Sequence, residues 1–107
     1  MKALDWNVEE DGPTVRLKLA GELDLSSAGD LESELRRIEG RGPEALVLDL
    51  REVRFMDSTG LRVVITADDR AREGGWRFSV VPGPEAVQRV FRITRLEERL
   101  DFVEDGG

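Results

Sequence analysis

The chain has 107 residues, enough for a single domain (residues 1–107) with one hydrophobic core. It has no cysteine and no histidine, which excludes disulfides, thiolate chemistry, the Ser-His-Asp triad and most zinc sites. A net charge of −7 argues against nucleic-acid binding. No segment is as apolar as a membrane span and the N-terminus lacks a signal-peptide pattern, so we expect a cytoplasmic protein with no membrane partner.

Two stretches of alternating apolar and polar residues open the chain. A turn at residues 11–13 separates them, and its sequence is Asp-Gly-Pro. This pattern predicts two half-exposed strands that form a hairpin at the edge of a sheet. The apolar positions are Leu4, Trp6, Val8, Val15, Leu17 and Leu19.

A loop and a first helix are predicted next. Residues 21–25 are interpreted as a polar loop, and Ser27 with Asp30 resembles a helix start. Gly40 and the Gly42-Pro43 pair end the predicted helix. One apolar face is indicated by Ala28, Leu31, Leu35 and Ile38.

The middle of the chain changes from a strand pattern to a helix pattern. Residues 45–50 form a nearly continuous apolar run, which is typical of a strand buried on both faces, and Asp49 is placed at its carboxyl end. Beyond Gly60 the apolar residues recur at helical spacing. Asp57 or Ser58 is then the natural N-cap, at the sheet edge where α/β proteins meet ligands and partners.

One position of this second helix does not fit an apolar face. Asp68 falls within the apolar arc, and Arg72 lies one turn later. We expect these two residues to pair and this flank of the helix to be open to solvent or to a partner.

The last part of the chain predicts one more strand and one more helix. The strand carries Trp76, Phe78 and Val80, and Pro84 starts the helix; residues 100–103 predict a short final strand. The predicted fold is α/β, with a four- to five-stranded mixed sheet, an N-terminal hairpin and about three helices.

Three blocks of the sequence resemble one known family. Residues 21–24 (Gly-Glu-Leu-Asp) resemble its G-x-L-D loop, and residues 48–61 resemble its strand and D-S-[ST]-G phosphorylation loop. Residues 84–91 resemble its P-x-x-V-x-R-x-F helix. Together the blocks cover residues 15 to about 103, and the chain is therefore similar to the STAS domain family, in particular to its single-domain anti-sigma factor antagonists.

The resemblance implies a STAS fold and a partner-switching mechanism. The unmodified antagonist binds an anti-sigma factor that is also a serine kinase, and so frees the sigma factor. The kinase uses ATP to phosphorylate the serine of the loop, here Ser58, after which the antagonist dissociates; a phosphatase resets it. No catalytic residue, cofactor or metal is implied. The residues expected to bind the partner are Asp24, Asp57, Thr59, Gly60 and Arg62.

Two features of the chain depart from the family pattern. Arg95 stands where the family commonly has glycine, and a left-handed conformation there would cost an arginine about 1 kcal/mol, so we expect a differently built turn. The chain also stops at Gly107, where many relatives continue into an amphipathic helix.

Alternative functions come from within and from outside the family. A STAS subunit of another assembly, such as a stressosome-like scaffold or a lipid-transport complex, is the main alternative. An aspartic protease has D-[ST]-G, but here an extra residue separates aspartate from glycine, and the setting is not all-β. A receiver domain needs a late lysine, whereas this chain has only Lys2 and Lys18.

Overall fold

The structure, a computed structural model, describes residues 3–104. The first half contains β1 (Leu4–Asp11), β2 (Thr14–Leu23), α1 (Leu25–Glu39) and β3 (Ala45–Met56). The second half contains α2 (Ser58–Gly74), β4 (Arg77–Val81), α3 (Glu85–Ile93) and a short 3-10 helix (Leu96–Glu98). None of the helices in residues 3–104 has the length and apolar character needed to span a membrane.

The four strands form one mixed sheet in the order β1-β2-β3-β4. β1 and β2 are antiparallel, and β2, β3 and β4 are parallel to one another. The predicted α/β fold with an N-terminal hairpin and three helices is therefore confirmed. The predicted final strand is reduced to an isolated bridge between Val80 and Phe102, which the amide of Val103 closes by donating to the carbonyl of Val80 at 2.9 Å.

The core lies between one face of the sheet and the helices. Leu17, Leu48 and Val80 are neighbours across β2, β3 and β4, and all three are completely buried. Both crossovers run in the same direction across the sheet, so right-handed connections place α1 and α2 on this face. The predicted burial of both faces of β3 is only half right, because Ala45 and Val47 are partly exposed on the other face.

The flank of α2 around Asp68 is closed, so the prediction of an open flank was wrong. Asp68 is 4% exposed, and Arg72 donates to it from Nε at 2.9 Å, as its spacing predicted. Arg99, from the segment that follows α3, lies 3.6 Å from the same carboxylate. Arg72 also donates to the carbonyl oxygen of Arg99 at 2.8 Å, so the C-terminal segment covers this flank.

The turn after α3 is left-handed at Arg95, with φ of 62°. The expectation that arginine would lead to a differently built turn was therefore wrong. Arg95 adopts the left-handed conformation, which costs a residue with a Cβ atom about 1 kcal/mol. The expectation about the end of the chain falls on residues 105–107, outside the described residues.

Candidate functional site

Ser58 is the first residue of α2 and is exposed. Asp57, immediately before it, is the N-cap: its Oδ1 accepts hydrogen bonds from the amides of Thr59 at 2.9 Å and Gly60 at 3.0 Å. Of the two predicted caps, the structure therefore selects Asp57. Within residues 3–104 the hydroxyl of Ser58 makes no hydrogen bond, so it is available to a partner.

Asp24 performs the same task at the start of α1. Its Oδ1 accepts from the amide of Ser26 at 3.0 Å and from the hydroxyl of Ser26 at 2.7 Å. The amide of Asp24 donates to Oγ of Ser27 at 3.1 Å, which completes a capping box. The predicted helix start at Ser27 and Asp30 was wrong, because the box pairs Asp24 with Ser27 and the helix begins at Leu25.

The local hydrogen bonds keep Asp24 ionised. The hydrogen bond from the hydroxyl of Ser26 is the main cause that lowers the pKa of Asp24. Burial opposes it, and the amides of Ser26 and Ser27 lower the pKa further, so the net direction is downward. The carboxylate therefore carries its negative charge throughout the physiological pH range.

The two helix starts lie side by side because β2 and β3 continue further than predicted. Residues 21–23, interpreted as a loop, belong to β2, and Leu23 pairs with Met56. The amide of Asp57 donates to the carbonyl oxygen of Leu23 at 3.2 Å. We call residues 22–25 and 55–59 the Ser58 edge.

Gly60 explains why α2 can start so close to β2. A Cβ atom at Gly60 would lie 2.6 Å from both Cγ and the carbonyl oxygen of Leu23, closer than real Cβ contacts allow. Gly60 is buried, so its evident role is to permit this close approach, and a partner contact at Gly60 stays a prediction. Thr59 is half-buried, whereas Arg62 is exposed one turn after Ser58 on the same helix.

Two irregularities in β3 bring the chain to the Ser58 edge. Where β2 advances from Lys18 to Ala20, β3 advances from Asp49 to Glu52, so β3 carries one extra residue. A second register shift follows at Glu22. Such bulges bend a strand and are common beside functional sites.

Asp49 stabilises the first bulge. The structure places it inside β3, not at its carboxyl end as predicted, and it is 2% exposed. Its Oδ1 accepts from the amide of Arg51 at 3.1 Å, and its Oδ2 accepts from Nη2 of Arg51 at 2.7 Å and from Nη1 of Arg16 at 3.2 Å. Burial raises the pKa of Asp49, but the hydrogen bonds and charge of Arg51, with the charge of Arg16, outweigh it and hold that pKa below its ordinary value.

Comparison with known proteins finds that this chain is similar to members of one family. A family model described as "Mlab, STAS domain" matches residues 6–104. The anti-sigma-B factor antagonist of Bacillus subtilis (strain 168) is 30% identical over 99 residues, which is 92% of this chain and 90% of that protein.

Solved structures agree with this similarity. An anti-sigma factor antagonist from Mycobacterium paratuberculosis has a TM-score of 0.87 and 26% identity, over 96% of this chain and 87% of that one. SpoIIAA, an anti-sigma factor antagonist, has a TM-score of 0.79 in its unphosphorylated form, with 19% identity over 94% of this chain and 90% of its own. Its phosphorylated form, from Bacillus, has a TM-score of 0.73 and 18% identity, over 94% and 93% of the two chains. At these identities SpoIIAA supports the fold alone.

Proposed function

The chain belongs to the STAS domain family, and on that basis we propose that it is an anti-sigma factor antagonist whose binding is switched off by phosphorylation of Ser58. The observation that carries the proposal is the exposed hydroxyl of Ser58, which leaves helix capping to its neighbour Asp57. Because Asp57 provides the cap, Ser58 can accept a phosphoryl group without a change in the capping hydrogen bonds.

The partner is an anti-sigma factor that is also a serine kinase. Binding of the unmodified chain would occupy the anti-sigma factor and release the sigma factor. Phosphorylation forms a bond between Oγ of Ser58 and the γ-phosphorus of ATP, ADP leaves, and the hydroxyl proton passes to the kinase. A phosphatase that hydrolyses this ester restores binding. The chain itself acts as a binding protein and a kinase substrate.

The helix start offers the new phosphoryl group little local stabilisation. An anion at a helix N-terminus is favoured by about 0.3–1 kcal/mol at an exposed position, because free amides and the helix dipole attract it. Here the amides of Thr59 and Gly60 already donate to Asp57. The carboxylates of Asp24 and Asp57 also repel the phosphoryl group on Ser58. Attraction by the helix start and repulsion by these carboxylates oppose each other, so the net effect of phosphorylation on folding stability should be small.

The same charge acts strongly across a docked surface. A phosphoserine adds about −1.5 to −2 charges, which must be desolvated or placed against a group that fitted a neutral hydroxyl. A loss of about 2–4 kcal/mol weakens binding roughly 30- to 1000-fold. Phosphorylation would therefore break the complex without unfolding the antagonist.

A phosphorylation assay tests the assignment of Ser58. Incubation with the kinase and ATP should add one phosphate, which tandem mass spectrometry locates on Ser58. The Ser58→Ala variant should accept none yet still bind, because the lost hydroxyl contributes at most about one neutral hydrogen bond, ~0.5–1.5 kcal/mol. Ser26→Ala is the matched control: it removes another exposed hydroxyl next to the Ser58 edge and should be labelled like the wild type.

Two results would contradict the proposal. Phosphate found on Thr59, Ser26 or Ser27 in place of Ser58 would refute the acceptor. A chain that binds a different assembly with an affinity unaffected by phosphorylation would support the alternative, a STAS subunit of a scaffold or of a lipid-transport complex.

A further inference from the structure

Three large apolar side chains are exposed in the part of the chain that the structure describes. Leu25 is 78% exposed, Phe55 is 49% exposed and Ile93 is 74% exposed. Single exposed apolar residues are normal on a protein surface. Two of these three, Leu25 and Phe55, lie in the Ser58 edge, so their position calls for an explanation.

The pairing of β2 and β3 places these two residues around Ser58. Phe55 pairs with Glu22, and in the next pair Met56 is opposite Leu23. Leu25 begins α1 just after Leu23, as Ser58 begins α2 just after Met56. Leu25 and Phe55 therefore lie at the same edge of the sheet as the helix start that carries the hydroxyl.

Neither side chain is needed by the fold. Leu25 is the first residue of α1, and the residues of that helix that build the core lie at other positions, from Ser27 onward. Phe55 precedes the buried Met56 and points to the opposite face of the sheet, beside the exposed Glu22. Their apolar surface stays in contact with water in the isolated chain, which is the property expected of an unoccupied protein interface.

The charges between them define what the partner must offer. Asp24 and Asp57 each accept their capping hydrogen bonds through Oδ1, at 2.7–3.0 Å. The carboxylate of Asp24 also accepts from the amide of Ser27, whereas Oδ2 of Asp57 receives no hydrogen bond from residues 3–104. Oδ2 of Asp57 therefore remains available at the edge that also carries the two exposed apolar groups. A complementary surface carries a lysine or arginine opposite the carboxylates and apolar recesses on both sides.

We propose that Leu25 and Phe55 are the apolar anchors with which this chain docks on its anti-sigma factor, a protein surface with two apolar recesses and a basic side chain between them. This inference rests on the proposed function and adds to it the source of the affinity. Burial of the two anchors holds the complex together, the carboxylates fix its orientation, and the state of Ser58 decides whether it can form.

The test compares serine variants at the three exposed apolar positions. Leu25→Ser and Phe55→Ser remove the proposed anchors. Ile93→Ser is the control, because Ile93 ends α3, in another part of the fold, and is as exposed as Leu25. The probe is the purified anti-sigma factor kinase of the native host that phosphorylates Ser58, and binding is measured by isothermal titration calorimetry.

Leu25→Ser and Phe55→Ser should each weaken binding about 10- to 100-fold, and Ile93→Ser should stay within about 2-fold of the wild type. All three variants should melt close to the wild type, since exposed side chains contribute little to folding. This combination supports the anchors, because it separates lost contacts from lost structure.

Other outcomes overturn the inference, and they distinguish it from the proposed function. If Leu25→Ser and Phe55→Ser bind like the wild type while phosphorylation of Ser58 still prevents binding, the anchors are wrong and the function stands. If the unmodified chain binds no anti-sigma factor, both fail. If sedimentation shows a dimer of the wild type that both variants lose, the occupant is a second copy of this chain and the proposed partner is wrong.

Discussion

Replacing Asp49 by asparagine tests whether the charge of a buried carboxylate holds the bulged part of β3. Asparagine keeps the shape of the side chain and an oxygen that can accept the amide of Arg51, now at 3.1 Å. It removes the negative charge that Arg51 and Arg16 contact, to which they donate at 2.7 and 3.2 Å. The variant therefore isolates the charge from the hydrogen bond to the bulge.

The expected loss of stability is modest. Hydrogen bonds to charged groups contribute about 1.5–3 kcal/mol, and neutral ones about 0.5–1.5 kcal/mol. Arg51 is 45% exposed at its side chain, so water takes over part of its interaction when the charge is lost. We expect a decrease of about 1–2 kcal/mol in the free energy of unfolding at pH 7, measured by urea denaturation.

The pH dependence gives a sharper result than the decrease alone. The pKa of Asp49 in the folded chain is below its ordinary value of 3.8. The stability that the charge of Asp49 adds to the fold is therefore complete above pH 3.8, the ordinary pKa, and is lost as the pH falls through the lower pKa of the folded state. The difference between wild type and Asp49→Asn should be constant at neutral pH and shrink below about pH 4.

Glu52→Gln is the matched control, because Glu52 lies on the same strand next to the bulge but is exposed. It should leave the free energy of unfolding within about 0.5 kcal/mol of the wild type. If Asp49→Asn were as stable as the wild type, or if the difference did not change in acid, the charge of Asp49 would have no role in the bulge.

Two further predictions concern the backbone. Gly60→Ala should lower the free energy of unfolding by about 1–3 kcal/mol, because its Cβ would lie 2.6 Å from Leu23. Gly29→Ala is the control, because Gly29 is a helical position with open space around it and alanine should not destabilise the helix. Similar urea denaturation curves for the two variants would refute the close contact at Gly60. Arg95→Gly should raise the free energy of unfolding by about 0.5–1 kcal/mol, because glycine adopts the left-handed conformation, here φ of 62°, without the steric cost of a Cβ atom. If calorimetry instead shows a lower melting temperature, the arginine side chain stabilises the turn.

The types of the main elements could be predicted because apolar residues recur at the period of each one. Alternation in β1 and β2 and the helical spacing in α2 reflect burial of one face, which any packed fold requires. The length of β3 could not be predicted this way. Two bulges break its alternation after Leu50, so Val53 and Met56 return to the core out of phase.

The sequence pointed to Ser58 and Asp57 because a cap lies at the change from strand to helix. It did not reveal the cap of α1, since Ser27 fits both a start with Asp30 and the observed box with Asp24. Asp68 was misread for another reason. Helical spacing shows Arg72 nearby, but the approach of Arg99 depends on how the C-terminal segment folds back.

The exposed anchors were also beyond sequence reasoning. Leu25 lies in the segment interpreted as a polar loop, and Phe55 lies between the predicted strand and the second helix, so no shared apolar surface was predicted there. The structure shows that both side chains are exposed, and that β2 and β3 extend to bring their segments to the same edge. A periodic pattern gives the face of an element, whereas the neighbours of that face are set by tertiary packing.

The most direct test of the switch is the dissociation constant of the anti-sigma factor for the chain before and after phosphorylation of Ser58, with thermal melts of both forms. We expect phosphorylation to weaken binding roughly 30- to 1000-fold and to leave the melting temperature nearly unchanged. A melting temperature that falls by many degrees, with an affinity that barely changes, would show that phosphorylation acts on the fold and would contradict a switch that works at the docked surface.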